Sequence, residues 1–261
     1  MKIYTNGKPT QLTQANVSIF SDALQRGFGI FETLKVENQK VYRLEDHLQR
    51  LFESAKKIDL KIEFTTNQIT SHIKNIIADC KNLTLAKLKI FIIPQKVILT
   101  LEPYTSVNKK SVKLKSLHLT RSLPEIKAIS YLPSYYANRK AKAAGFYDAL
   151  LINDHSEITE GAYCNIFWVK NGQIFTRAKQ VLPGITRKAI LEFSPIPVQF
   201  KNATLPELIE ADEVFLTQSL GGVIPVTHID QHPIGLAEPG RVSQLIQVAY
   251  LKDRKSKSTY L

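Results

Sequence analysis

The chain has 261 residues, enough for one large domain or two modest ones with real cores, and its 44% hydrophobic content is ordinary for a soluble globular protein. No apolar run is long enough to span a bilayer, and residues 1–20, with polar Thr5-Asn6-Gly7-Lys8, lack the apolar stretch of a secretory signal. The net charge of +12 invites a nucleic-acid reading, yet Lys and Arg are spread along the chain, densest at 252–257, with no aromatics placed for base stacking.

A solvated basic surface is therefore expected, with neither nucleic acid nor a membrane as partner. Cys80 and Cys164 suggest neither a disulfide framework nor a metal site, so a reducing, cytoplasmic setting is expected.

In chain order, Lys2–Thr5 and the Asn6-Gly7 turn read as a hairpin. Val17–Phe20 alternates like a strand. The loop Arg26-Gly27-Phe28-Gly29 then feeds a strand over 30–36, and Glu37–Lys40 turns back into Val41-Tyr42. Helical spacing puts Leu44, Leu48, Leu51, Phe52 and Ala55 on one face of a helix over 44–58, with His47 and Arg50 as neighbours three apart. A second helix is predicted over 66–80, then strands over 83–93 and 97–101 joined at Pro94-Gln95-Lys96.

Residues 102–110 mix Pro103, Tyr104, Asn108 and two lysines between apolar runs, which predicts a linker at 106–110 between domains at 1–105 and 111–261. A strand over 111–119 opens the second half. A helix over 131–144 stops at Gly145, strands and helices alternate, and a helix from about 239 to 252 closes the chain.

Three features could carry chemistry. Lys127, between a predicted strand and a helix, is flanked by Ile126 and Ile129; an amine among apolar groups has its charged form disfavoured and is freed to form an imine. Glu160 follows the turn Asn153-Asp154-His155-Ser156 and precedes an apolar strand; it reads either as an inward carboxylate or as a solvent-facing turn residue. Gly184-Ile185-Thr186 precedes a helix, where backbone N–H groups and a hydroxyl suit a phosphate, and Arg50 could add a charge-assisted hydrogen bond. A Schiff-base lysine, an acid for a ring nitrogen and a phosphate cradle together suit pyridoxal 5'-phosphate.

These parts resemble the class-IV aminotransferase family, the PLP fold-type IV group of branched-chain and D-amino-acid aminotransferases and aminodeoxychorismate lyase. The similarity runs in order through Gly27-Phe28-Gly29-Ile30-Phe31-Glu32-Thr33, His47-Leu48-Gln49-Arg50-Leu51, Ile126-Lys127 and Asp148-Ala149-Leu150. It continues through Thr159-Glu160-Gly161, Asn165-Ile166-Phe167, Leu182-Pro183-Gly184-Ile185-Thr186-Arg187 and Glu213-Val214-Phe215-Leu216-Thr217.

The resemblance implies an α/β (α+β) fold: a small N-terminal α/β domain and a larger C-terminal domain with a barrel-like sheet. It implies Lys127 as catalytic Schiff-base lysine and Glu160 as partner of the pyridine nitrogen. Around the phosphate it places Arg50, Ile185, Thr186 and Ser219, with Tyr131 at the ring hydroxyl. It also implies a homodimer and a small amino or keto acid as substrate.

Three departures bear on the substrate. The family's Gly-Asp-Gly is Gly27-Phe28-Gly29, Thr217–Gly222 lacks the hydroxyl-rich run of many relatives, and no arginine falls near Pro94. Transamination is the expected reaction. Lyase chemistry releasing pyruvate and 4-aminobenzoate from aminodeoxychorismate is the alternative, and behind both stands a non-catalytic PLP-binding or nucleic-acid-associated protein.

Overall fold

The computed structural model describes residues 1–80, 83–106 and 109–261. In order the elements are β1 (Lys2–Thr5), β2 (Lys8–Pro9), α1 (Asp22–Gln25), β3 (Ile30–Glu37), β4 (Lys40–Tyr42), α2 (Leu44–Lys57), α3 (Thr66–Ala78), β5 (Leu85–Ile93) and β6 (Lys96–Pro103). There follow β7 (Val112–His118), α4 (Leu132–Ala143), β8 (Asp148–Ile152), β9 (Ile158–Gly161), β10 (Asn165–Lys170), β11 (Gln173–Thr176) and α5 (Ile185–Phe193). The chain closes with β12 (Val198–Phe200), α6 (Leu205–Ile209), β13 (Glu213–Gln218), β14 (Gly222–Ile229), β15 (His232–Pro233), α7 (Arg241–Ser256) and β16 (Ser258–Tyr260).

Contacts divide the chain into two units, one of Met1–Ser106, Ile126–Tyr131 and Ser256–Leu261, the other of Val107–Glu125 and Leu132–Lys255. Two short segments placed by the sequence in the second half thus belong to the first unit. The reason is backbone pairing: Phe31 N–H donates to Lys127 O at 2.9 Å, Ile129 N–H to Gly29 O at 3.0 Å, and β16 pairs with β4. The linker expected at 106–110 includes residues 107 and 108, which lie outside the described residues.

The first unit is an antiparallel sheet in the order β16-β4-β3-β5-β6-β1-β2. Period-two alternation turns Ile30, Leu34 and Val36 of β3, Leu88, Ile90 and Ile92 of β5, and Leu99 and Leu101 of β6 into one core. Leu44, Leu48 and Leu51 of α2 meet them, with Ile69, Ile73 and Ile76 of α3, the spacing that puts a stripe on one helix face. Thr65 and Gln68 form a capping box that starts α3.

The strand expected over 17–20 does not form. Ser18 and Ser21 satisfy the backbone locally instead: Ser21 N–H and Oγ–H both donate to Ser18 O, and Ser21 Oγ caps α1.

The second unit holds a nine-stranded mixed sheet, β12-β11-β10-β13-β14-β7-β8-β9, with β15 on β14. The pairs β7–β8, β14–β7 and β11–β12 are parallel. β8 is buried on both faces: Ala149 and Leu151 meet Ala137 and Ala141 of α4, whereas Leu150 and Ile152 join Ile166, Val214 and Leu216. Gly161 N–H donates to Cys164 O at 2.7 Å, tying the last strand of the order, β9, to β10 near its other end, so the sheet curls into a half-barrel.

Candidate active site

Within the first unit, the glycine loop and the lysine segment require each other. Gly27 has φ of +64°, and a Cβ there would lie 2.8 Å from Ser130 Cβ. A Cβ on Gly29 would lie 2.8 Å from both Ile129 Cδ1 and Ile92 O. The two glycines therefore let residues 126–130 lie against the start of β3. Phe28, between them, packs against the apolar core.

This docking sets Lys127 Nζ 4.6 Å from the centre of the Phe31 ring and 5.8 Å from that of Tyr131. Phe31 meets Tyr131 edge-on at 5.2 Å and stacks on Phe91 at 6.0 Å. The structure thus brings Lys127 and Tyr131 together around one aromatic ring. Two aromatic rings thus stand beside the amine.

Arg50, on α2, reaches a partner the sequence did not single out. Its Nε and Nη2 donate to Oε1 and Oε2 of Glu32, each at 2.7 Å, and His47 Nδ1 lies 2.7 Å from the same Oε2. Burial alone would raise the Glu32 pKa, but Arg50 and His47 outweigh it and hold the carboxyl well below the usual carboxylate range. The ionised Glu32 accepts from His47 Nδ1–H. Burial in turn pushes the His47 pKa below 6.5 against the opposing pull of Glu32. One signal was available: Glu32 occupies an inward position in the alternation Ile30-Glu32-Leu34-Val36.

Within the second unit, Glu160 is buried on β9, not solvent-facing. The turn before it is closed by Asn153 Oδ1, which accepts from the N–H groups of His155 and Glu157. Arg121 donates to Glu160 Oε1, while Oε2 accepts from Asn165 Nδ2 at 3.2 Å and Leu182 N–H at 3.0 Å. Glu160 and Arg121 line a cavity of about 220 Å³ with Asn153, Asp154, His155 and Gln180.

Asn165 also ties Glu160 to α5, because its Nδ2 donates to Leu182 O at 2.8 Å. Gly184 then caps α5 in an ordinary extended conformation, φ −63°, yet a Cβ there would fall 2.0 Å from Asn165 Oδ1. A glycine is required for close approach, not for its backbone angles.

Ile185 and Thr186 form the buried first turn of α5, and Asn165 pairs with Thr217 across β10 and β13. The hydroxyls of Thr186 and Thr217 are buried with no hydrogen-bond partner. Orphaned hydroxyls beside the open N–H groups of a helix start fit an anion with several acceptor oxygens. Ser219 is half-buried in the turn after β13. The second unit therefore gathers Glu160, Ile185 and Thr186 around Asn165. Arg121 was missed because it lies 39 residues from Glu160 in a loop without periodicity.

Among the described residues there is no group of three or more His, Cys, Asp or Glu able to hold a metal, and no helix long and apolar enough to cross a membrane.

The model of the family described as amino-transferase class IV matches residues 29–229. The chain belongs to the class IV amino-transferase family. It is 28% identical to a putative branched-chain-amino-acid aminotransferase of Methanocaldococcus jannaschii, over 98% of this chain and 97% of the relative. It is also 28% identical to a D-alanine aminotransferase of Bacillus licheniformis, over 95% of each chain. The T.th. branched-chain amino acid aminotransferase, solved as a complex with N-(5'-phosphopyridoxyl)-L-glutamate, superimposes with a TM-score of 0.91 at 25% identity, covering 99% of this chain and 98% of that one. Class IV amino-transferases use pyridoxal phosphate, so the chain belongs to a PLP-dependent family.

Proposed function

We propose that this class IV amino-transferase binds pyridoxal 5'-phosphate through Lys127 and transfers an amino group between an amino acid and a keto acid. The observation that carries the reading is the buried, unpartnered Thr186 hydroxyl at the start of α5, a donor without an acceptor in the protein. The bound cofactor supplies an aldehyde for the lysine and a ring that accepts electrons from Cα.

The protein's own residues do the rest. Lys127 Nζ would hold the cofactor through its aldehyde and, as a free amine, would move the substrate Cα proton. Glu160 pairs with the ring nitrogen, oriented by Arg121, Asn165 and Leu182 N–H. Thr186, the N–H of Ile185, Arg50 and Ser219 hold the phosphate, and Tyr131 meets the ring hydroxyl.

Phe31 beside Lys127, with Phe91 stacked on it, supports an amino acid with an apolar side chain. The relatives named for branched-chain amino acids and D-alanine support transamination. We take the working form to be a cytoplasmic homodimer, as the family resemblance implies.

The test is the visible spectrum of the purified protein with added PLP, before and after a panel of L- and D-amino acids. A yellow band that bleaches with an aliphatic donor is expected. A protein that gives no band with PLP would overturn the assignment.

A further inference from the structure

We infer that Glu32 is a positioning residue that aims Arg50 at the cofactor phosphate; the inference rests on the phosphate role proposed for Arg50. A carboxylate is out of place at position 32. β3 sends Ile30, Glu32, Leu34 and Val36 into the same core, and Glu32 is as fully buried as its aliphatic neighbours. α2 answers with His47 and Arg50 in a face otherwise made of Leu44, Leu48, Leu51 and Ala55.

An aliphatic triad would fill this space as well. Buried ion pairs repay their desolvation poorly, and replacing them with apolar side chains is often neutral or stabilising. What the carboxylate adds is orientation. A guanidinium on three methylenes has many rotamers and ordinarily extends to water. Here Nε and Nη2 are both fixed on the two oxygens of one carboxylate, which sets the plane of the fork as well as its position.

Glu32 is fixed in turn by the strand on one side and by His47 Nδ1 on the other, so it cannot follow Arg50 if the arginine moves. The same strand bonds the lysine segment, because Phe31 N–H donates to Lys127 O at 2.9 Å. Adjacent residues of β3 therefore hold the imine-forming lysine and orient the phosphate arginine. Glu32 touches neither substrate nor cofactor; it acts through Arg50.

The experiment compares affinity for pyridoxal 5'-phosphate with affinity for pyridoxal, which lacks the phosphate, by spectroscopic titration of the full chain. The proteins are wild type, Glu32→Gln, Glu32→Asp, Arg50→Gln and the Glu32→Gln/Arg50→Gln double variant. Circular dichroism checks folding, and Glu32→Asp, which keeps the charge and shortens the reach, serves if Glu32→Gln does not fold.

Expected is a loss of about tenfold or more in pyridoxal 5'-phosphate affinity with pyridoxal affinity unchanged, and no further loss in the double variant over Arg50→Gln alone. A merely structural role would weaken both ligands together, and that result overturns the inference. Glu32 variants that keep the wild-type preference for the phosphorylated ligand overturn it as well. If wild type and Arg50→Gln show the same preference, the phosphate role of Arg50 fails and the inference falls with it. That outcome leaves the Lys127 assignment standing.

Discussion

Gly184→Ala sets two effects of opposite sign against each other. Gly184 has φ −63° and ψ 138°, angles any residue adopts, so on backbone grounds alone alanine would stabilise by about 0.4–1 kcal/mol by restricting the unfolded chain. The new Cβ, however, would fall 2.0 Å from Asn165 Oδ1, and Asn165 is itself buried. The amide must rotate away, breaking its bonds to Leu182 O at 2.8 Å and Glu160 Oε2 at 3.2 Å.

Two hydrogen bonds at about 1 kcal/mol each, with buried groups left unsatisfied at about 1 kcal/mol more, outweigh the entropic gain and leave a net loss of about 2 kcal/mol. For a chain of this size that lowers Tm by about 4–8 °C. Differential scanning calorimetry measures it, with Gly145→Ala as comparison: that glycine has φ +83°, and a Cβ there would meet nothing within 4 Å, so strain alone acts, at about 1–2 kcal/mol. A Gly184→Ala protein as stable as wild type would refute the account of how α5 is joined to Glu160.

Two further predictions concern single side chains. Thr186→Val keeps shape and removes a buried hydroxyl that has no partner, so the protein without cofactor should melt at or above the wild-type temperature, while PLP affinity falls about tenfold. Parallel thermal melts and PLP titrations check both. For Glu32, whose pKa is held below its ordinary 4.5, the stabilising contribution is complete above pH 4.5 and is lost as pH falls toward the folded-state value. The stability gap between wild type and Glu32→Gln, measured by urea unfolding, should therefore shrink as pH falls below 4.5, beneath the range in which His47, itself bonded to Glu32, takes up its proton in the unfolded chain. A gap that widens below pH 4.5 would reverse the sign of the coupling.

Period carried most of what was legible in the sequence. The alternation over 30–36 and the leucine spacing over 44–58 gave a strand and a helix where β3 and α2 lie, because both elements bury one regular face. Gly145 stops its helix with the positive φ expected of it. The sequence failed where local polar groups or distant partners decide. Val17–Phe20 alternates, but the hydroxyls of Ser18 and Ser21 take the backbone locally instead. Residues 126–131 and 256–261 join the first unit through backbone hydrogen bonds that leave no mark in composition.

The candidate site divides the same way. Lys127, Glu160 and the Gly184-Ile185-Thr186 turn were legible as residue types in local contexts. The partners that orient Arg50 and Glu160 were not: Glu32 lies 18 residues from the first and Arg121 39 from the second. Each ion pair joins a strand residue to one on a distant helix or loop, and so exists only in the folded chain.

The most direct test of the account is borohydride reduction of the protein incubated with PLP, followed by peptide mass spectrometry of wild type and Lys127→Ala. A phosphopyridoxyl adduct on Lys127, absent from a Lys127→Ala protein with wild-type circular dichroism, is the predicted result. An adduct on another lysine, or the same yield of adduct in Lys127→Ala, would contradict it.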